Sequence, residues 1–262
     1  MKRLTIILTM GFFSTLFGCG QKNKSNDKPV DYSAIQPVTK PVDNINATKD
    51  QTERRAKSEE FCKTKSIPVY KNPNSLFVES EDKVTIRTKD EVVDRAIALC
   101  YLELKSEKAD KNALADFAKK YNVMAKLTAK EKEFALSDNP TQQQMTDANW
   151  RAESYHVMLW SLGFVENLKY ANEMCNVGED VKYLFSKTEI EFREKAKLRS
   201  KAEILDQADL ILRLDWACVS ARVKNEPAPS GLDGSVVYER HYSLNWLTHF
   251  QNQEWDFVTT DT

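Results

Sequence analysis

Four capping boxes constrain the fold of this chain more than any other feature of the sequence. In a capping box, a Ser or Thr and a Glu three residues later accept hydrogen bonds from backbone amides that the first turn of a helix leaves unpaired. The pattern occurs at Thr88/Glu91, Thr128/Glu131, Thr188/Glu191 and Ser200/Glu203. Each box precedes apolar residues at helical spacing, so we predict that a helix begins at each one.

The low content of glycine and proline also favours helices, and the chain is predicted to be all-α. Only 7 glycines and 8 prolines occur in 262 residues, which disfavours many short strands joined by turns. Pro140 suits the first turn of one helix, and Gly163 suits its end. The alternating stretch near 76–87 is the one candidate for a small β-hairpin. We predict helices at roughly 50–65, 89–107, 111–122, 129–137, 141–162, 179–186, 188–197, 201–224 and 235–250.

Three stretches carry apolar residues on every side of the predicted helix. They are Glu203–Arg222, the stretch that begins at Tyr155, and Val236–Leu247. A helix that is apolar all round is buried. We therefore expect these three helices to form the centre of a multi-helix domain that spans residues 51–262.

The first residues resemble the signal peptide of a bacterial lipoprotein, predicted over residues 1–18. Lys2 and Arg3 are followed by the apolar run Leu4–Phe17, whose ~14 residues are too few to span a bilayer. The run ends in Leu-Phe-Gly-Cys, which resembles a lipobox whose cysteine is Cys19. Acyl chains on Cys19 would anchor the protein in a membrane, which is its predicted partner.

Residues 19–50 are predicted to be a disordered tether, because they are polar, contain three prolines and lack helical periodicity. Gly20, and not an aspartate, follows the candidate lipid-bearing cysteine. Under the sorting rule of enteric bacteria, this residue favours the outer membrane, with the domain facing the periplasm. The expected location is therefore the cell envelope.

Charged side chains interrupt the last of the three central helices. Glu239, Arg240, His241 and Asn245 lie there among aromatic and aliphatic residues. A buried ion needs a partner, or its burial costs several kcal/mol. We therefore predict a polar network that joins the three helices and comprises Arg151, Glu153, Asp206, Asp209, Arg213, Arg222, Glu239, Arg240, His241 and Asn245. Within it, Asp206, Asp209 and Arg213 are spaced i, i+3 and i+7 and form an aspartate stripe along one helix, which also carries Asp215.

This network allows two interpretations: it either fixes the register of the helices or lines a polar pocket between them. The leading functional hypothesis is a non-catalytic binding or interaction module, because no nucleophile elbow or phosphate loop is present. The alternative is a hydrolase-type enzyme that uses His241 with acids among Glu153, Asp206, Asp209 and Glu239. Interaction with another envelope protein is a third alternative that the sequence leaves open.

Several other classes of function have little support in the sequence. The formal net charge of -1 provides no basic surface, so nucleic acid is not a predicted partner. Glu153 and His156 form one Glu-x-x-His pair, whereas a di-iron bundle needs two, so neither a metal nor a cofactor is predicted. The oxidising compartment allows a disulfide, but helical, apolar settings favour simple packing of Cys62, Cys100, Cys175 and Cys218.

Six stretches together resemble an uncharacterised bacterial family, the domain of unknown function 4272. They read IRTKDEVVDRAIAL, LTAKEKEF, WRAESYHVMLWSLGF, KLRSKAEILDQADLILRLDWACVSAR, VVYERHYSLNWL and WDFVTTDT. The resemblance covers about Ile67 to Thr262 and implies a shared helical fold. It brings no activity, ligand or catalytic residue. His156 departs from the family pattern, which usually has an apolar residue at that position.

Overall fold

All regular secondary structure in the part of the chain that the computed structural model describes, residues 46–72 and 75–262, is helical. The predicted all-α class is therefore confirmed. The helices are α1 (Lys49–Thr64), α2 (Lys89–Ser106), α3 (Lys111–Lys120), α4 (Ala129–Leu136), α5 (Gln142–Ser161), α6 (Val177–Asp180), α7 (Lys182–Phe185), α8 (Glu189–Lys195), α9 (Lys201–Val223) and α10 (Gly234–Leu247). Single 3-10 turns lie at Val123–Ala125, Pro229–Gly231, Phe250–Asn252 and Trp255–Phe257.

The described residues belong to one compact unit, Asp43–Thr262. None of its described helices combines the length and the apolar character that are needed to cross a bilayer. The predicted signal peptide, Cys19 and the tether as far as residue 45 lie outside the described residues. At the other end of the predicted tether, α1 already begins at Lys49, just before the predicted domain boundary at 51.

All four predicted capping boxes form and open α2, α4, α8 and α9. A further box, which uses Gln in place of Glu, opens α5: the Thr141 amide donates to Gln144 Oε1 over 2.9 Å, and the Gln144 amide donates to Thr141 Oγ1 over 3.2 Å. Thr141 is therefore the N-cap, and Pro140 precedes it. The expected place of Pro140 in the first turn was wrong, because the cap lies one residue later.

The end of α5 follows the prediction for Gly163. The Gly163 amide donates to Trp160 O, and the Phe164 amide donates to Leu159 O over 2.9 Å, as in a Schellman motif. Gly163 has φ of +77°, and a Cβ there would lie 3.1 Å from the Lys197 carbonyl oxygen. Both the backbone conformation and the close approach of the next segment therefore require glycine.

The predicted hairpin near 76–87 does not form, since the described residues contain no strand. Its backbone groups find other partners. The Val84 amide donates to Ser80 O in a turn, and the Arg87 amide donates to Leu247 O at the end of α10. Lys201 Nζ donates to Val84 O over 2.9 Å. The segment lies across the ends of helices, and groups at those ends form the hydrogen bonds that a second strand would otherwise form with its backbone.

Five helices pack in the order α1, α9, α10, α5, α2, each against the next. The helix α10 therefore lies between α9 and α5, as expected for three central helices. The sequence predicted α2 as a helix but did not place it among the central ones, although most of its residues from Val92 to Leu102 are fully buried. Charged residues usually indicate an exposed helix face, but Arg95 and Glu103 of α2 are both buried, so the sequence did not indicate its central position.

The four cysteines of the described residues are free thiols. Cys62, Cys100 and Cys218 are buried in the core, whereas Cys175 is partly exposed. Burial raises the pKa of the Cys100 thiol well above its usual range. Three of these cysteines therefore pack as small apolar side chains.

Candidate functional site

Three consecutive polar residues of α10, Glu239, Arg240 and His241, are buried, and each has a different partner. Successive side chains on a helix point about 100° apart. Glu239 and Arg240 therefore reach α5, whereas His241 reaches α9. The pairs are Arg151 Nη1 to Glu239 Oε2 at 3.0 Å, Arg240 Nε to Glu153 Oε2 at 2.9 Å, and His241 Nδ1 to Asp215 Oδ2 at 2.7 Å.

The Glu153–Arg240 pair is sealed in the interior. Glu153 has no exposed surface, and Arg240 is 4% exposed. The Cys175 amide donates to the second carboxylate oxygen of Glu153, and Arg240 Nη1 donates to the Lys169 carbonyl. Both charges are thus compensated by ionic and backbone partners, although Arg240 also borders a second cavity of about 390 Å³.

Glu239 is also buried, but only one of its oxygens is engaged. Oε2 accepts hydrogen bonds from Arg151 and from Ser154 Oγ, the latter over 2.7 Å. Oε1 accepts none from a described residue. Burial raises the pKa of Glu239 above its usual value, although Arg151 opposes the shift. Glu239 lies on the wall of the large cavity described below.

Asp215 repeats this arrangement on α9. It is 3% exposed, and its Oδ2 pairs with His241, which is itself 2% exposed. No described residue donates a hydrogen bond to Oδ1, and Asp215 lines the same cavity. Two acids that are more than nine-tenths buried therefore each present one unengaged oxygen there.

The aspartate stripe of α9 lies elsewhere than predicted. Asp206 binds Arg54 Nε of α1 at 3.1 Å, and its side chain is 41% exposed. Asp209 and Arg213 form a buried pair at 2.7 Å, and Arg213 also donates to Leu76 O. At about 100° per residue, the stripe faces roughly away from Asp215, so α1 and the 75–78 segment cover it in place of α10.

Two other members of the predicted network also lie outside it. Arg222 is exposed near the end of α9 and forms no ion pair within the described part of the chain. It was expected inside because α9 is apolar for most of its length. Asn245 donates from Nδ2 to Thr259 O over 2.8 Å and ties α10 to the C-terminal segment.

The candidate catalytic residues do not share a cleft. Of the four acids, Glu153 and Asp209 are sealed beside arginines. Asp206 faces α1, and Glu239 alone lines the cavity. His241 is paired behind Asp215. A hydrolase needs a base and further acids within hydrogen-bond reach at one wall, and these five residues do not provide that arrangement.

The cavity measures about 860 Å³ and lies between α9, α10, the start of α5 and the C-terminal segment. Trp150 and Tyr238 provide aromatic walls, and Cys218 lies beside Asp215 on α9. Acidic side chains outnumber basic ones among its charged lining residues: Asp147, Asp215, Glu226, Glu239 and Asp261 against Arg151 and Arg222. The local field therefore favours a positively charged ligand.

Sequence reasoning missed much of this lining. Asp147 and Trp150 lie in the first turns of α5, Glu226 lies in the loop before α10, and Asp261 follows the last 3-10 turn. No spacing rule connects residues so far apart in the chain.

The fold and this site define an all-α domain in which two buried acids, each with an internal partner, line a polar cavity. Residues 54–258 match the family model described as Domain of unknown function (DUF4272), and the chain belongs to that family. The resemblance seen in the sequence is thereby confirmed for the family. The searches of curated proteins and of solved structures returned no match.

Proposed function

We propose that this protein is a membrane-anchored, non-catalytic binding module whose cavity takes a small organic cation. The observation that carries the proposal is the pair of buried carboxylates, Asp215 and Glu239, at the cavity wall. Each has one oxygen held by an internal cation or imidazole and one oxygen without a donor. An ammonium group is a donor of the charge and geometry that these oxygens lack.

The surroundings of the two carboxylates also suit a cation. Both unengaged oxygens keep contact with solvent, so a ligand in the cavity can donate to them in place of water. Tyr238 and Trp150 line the cavity, and the faces of aromatic rings attract ammonium groups. The volume of about 860 Å³ lies within the range of small-molecule pockets. Charge, aromatic walls and size therefore point to the same class of ligand.

The cavity favours binding over catalysis. None of its described lining residues is a histidine. Cys218 is the lining thiol, and burial raises its pKa to about 11, so it is a weak nucleophile at neutral pH. His241, the nearest imidazole on α10, is engaged with Asp215 behind the wall. A nucleophile paired with a base is thus not presented to a ligand.

The first test removes three acidic charges from the rim. Asp147, Glu226 and Asp261 are exposed, so Asp147→Asn, Glu226→Gln and Asp261→Asn should leave the fold intact. We expect isothermal titration of the native protein with ethanolamine, putrescine and spermidine to detect binding of at least one. The triple variant should bind it about tenfold more weakly, since each exposed charge contributes ~0.5 kcal/mol.

The matched control removes the same charge from exposed acids elsewhere: Asp116→Asn, Glu133→Gln and Glu166→Gln. This variant should keep the affinity of the native protein. Absence of binding of all three amines at millimolar concentration would contradict the proposal. An equal loss of affinity in both triple variants would do so as well, because it would mean that only net charge attracts the amine.

We further propose that Cys19 carries the membrane anchor and that the domain faces the periplasm from the outer membrane. The support is the lipobox-like Leu-Phe-Gly-Cys that ends a short apolar run. In cells fed an alkyne-labelled fatty acid, the native protein and a Cys218→Ala control should both be labelled. Cys19→Ala should lose the label entirely, and a labelled Cys19→Ala protein would contradict the anchor.

A further inference from the structure

A second group of chemically reactive side chains converges away from the cavity. His156 lies on α5, Cys175 precedes α6, and Asp180 ends α6. Each offers one donor atom, and these three atoms lie within 4.8 Å of one another. His156 Nδ1 and Asp180 Oδ2 are 2.7 Å apart. Asp180 is 4% exposed, and the other two residues are partly buried.

We propose that His156, Cys175 and Asp180 form a binding site for a divalent transition-metal ion of the zinc class. Imidazole nitrogen, thiolate sulfur and carboxylate oxygen are the donors that zinc takes in proteins. Calcium and magnesium take oxygen ligands almost exclusively, so the cysteine selects against them. Three protein ligands leave a fourth tetrahedral position for water or an exogenous group.

The fold holds these donors in place through their own neighbours. Tyr155 Oη donates to the Asp180 carbonyl over 3.1 Å, which ties α6 to α5. The Cys175 amide donates to Glu153, and Arg240 in turn fixes Glu153. Such supporting hydrogen bonds orient metal ligands and are needed for tight binding. The ligands therefore meet because the core network positions the Cys175 loop.

The local charge also suits a cation. The carboxylate of Asp180 lies at the site, and the fully buried Glu153 touches the Cys175 backbone. A bound M²⁺ exchanges its water for the three ligands, and the Cys175 thiol proton passes to solvent. No oxidant or reductant is required. The site is separate from the amine cavity, so either proposal can fail without the other.

The sequence alone predicted no metal, because a second Glu-x-x-His pair is absent. That reasoning concerned a di-iron bundle, whose carboxylates must be available. Here Glu153 is occupied by Arg240 and Cys175, and only the histidine of the pair faces the cluster. The remaining donors come from a segment about twenty residues further along the chain, where no short motif would connect them.

Cobalt titration of the tag-free protein tests the site, because a Co²⁺–thiolate bond produces a near-ultraviolet charge-transfer band. We expect that band to saturate at about one equivalent and to disappear on addition of zinc. Cys175→Ser should lose the band and bind at least tenfold more weakly. A Cys218→Ser control should keep the band and the affinity of the native protein.

His156→Gln provides a second variant should Cys175→Ser fail to fold. It should keep a thiolate band but with at least tenfold weaker cobalt affinity, whereas a His249→Gln control should match the native protein. Absence of a thiolate band in the native protein at one equivalent of cobalt would overturn the proposal. The same result would follow from an unchanged band in folded Cys175→Ser, or from equal affinities of native protein and His156→Gln.

Discussion

Arg240→Leu is expected to lower the free energy of unfolding by about 3–5 kcal/mol. The substitution removes the partner of Glu153, which has no exposed surface, and leaves a carboxylate buried without a counter-charge. The Lys169 carbonyl also loses its donor. A loss of this size would remove a large share of the stability of an ordinary domain. Urea denaturation followed by circular dichroism measures it.

Two controls separate the ion pair from a loss of packing. Arg222→Leu changes an exposed arginine and should alter the free energy of unfolding by less than about 0.5 kcal/mol. The double variant Glu153→Gln/Arg240→Leu should recover part of the loss, because a neutral amide oxygen can still accept the Cys175 amide. A cost below about 1 kcal/mol for Arg240→Leu would contradict the sealed pair.

Glu103→Gln is expected to stabilise the protein progressively as the pH rises from about 5 to 8. Glu103 is 1% exposed, and its Oε2 has no hydrogen-bond partner in the described structure. Burial, assisted by the charge of Glu107, raises its pKa to about 8 from an ordinary 4.5. The folded chain therefore keeps a proton that the unfolded chain releases between these two values.

The sign of the effect follows from this difference in bound protons. Below pH 4.5, Glu103 is protonated in both the folded and the unfolded chain, and it does not change the free energy of unfolding. Between pH 4.5 and pH 8, the free energy of unfolding of the native protein falls by up to about 1.4 kcal/mol per pH unit. Glutamine does not ionise, so at pH 8 the free energy of unfolding of Glu103→Gln should exceed that of the native protein by a few kcal/mol. Unfolding curves at pH 5, 6, 7 and 8 measure it.

The exposed neighbour provides the control for this pH dependence. Glu107→Gln removes a charge that contributes to the shift but keeps the buried carboxyl. Its stability should still fall as the pH rises, although less steeply than that of the native protein. Parallel pH profiles for the native protein and Glu103→Gln would show that Glu103 ionises freely in the folded state.

Local signals predicted the helices well, because capping is a property of four adjacent residues. The boxes at Thr88, Thr128, Thr188 and Ser200 all open the helices expected of them. The hairpin prediction was wrong. Alternation of apolar and polar residues near 76–87 shows that one face of the segment is buried, but it does not show which element covers that face. The covering element is a set of helix ends, including Leu247 of α10.

The interior of the site was harder to predict than the helices. Apolar neighbours imply that Glu239, Arg240 and His241 are enclosed, and the structure places all three in the interior. Which acid meets which cation depends on the rotation of each helix about its axis. Asp215 pairs with His241 of α10, whereas Asp206 pairs with Arg54 of α1, and no feature of their shared sequence stretch distinguishes the two sides.

The position of α10 determines the order in which this domain can be completed during synthesis. Residues 234–247 leave the ribosome after every other α-helix of the described structure, yet they fill the space between α9 and α5. Until α10 has been synthesised, the surfaces of α9 and α5 that it covers therefore stay exposed. Such exposure invites aggregation, so chains that stop before Gly234 should depend on chaperones or be degraded.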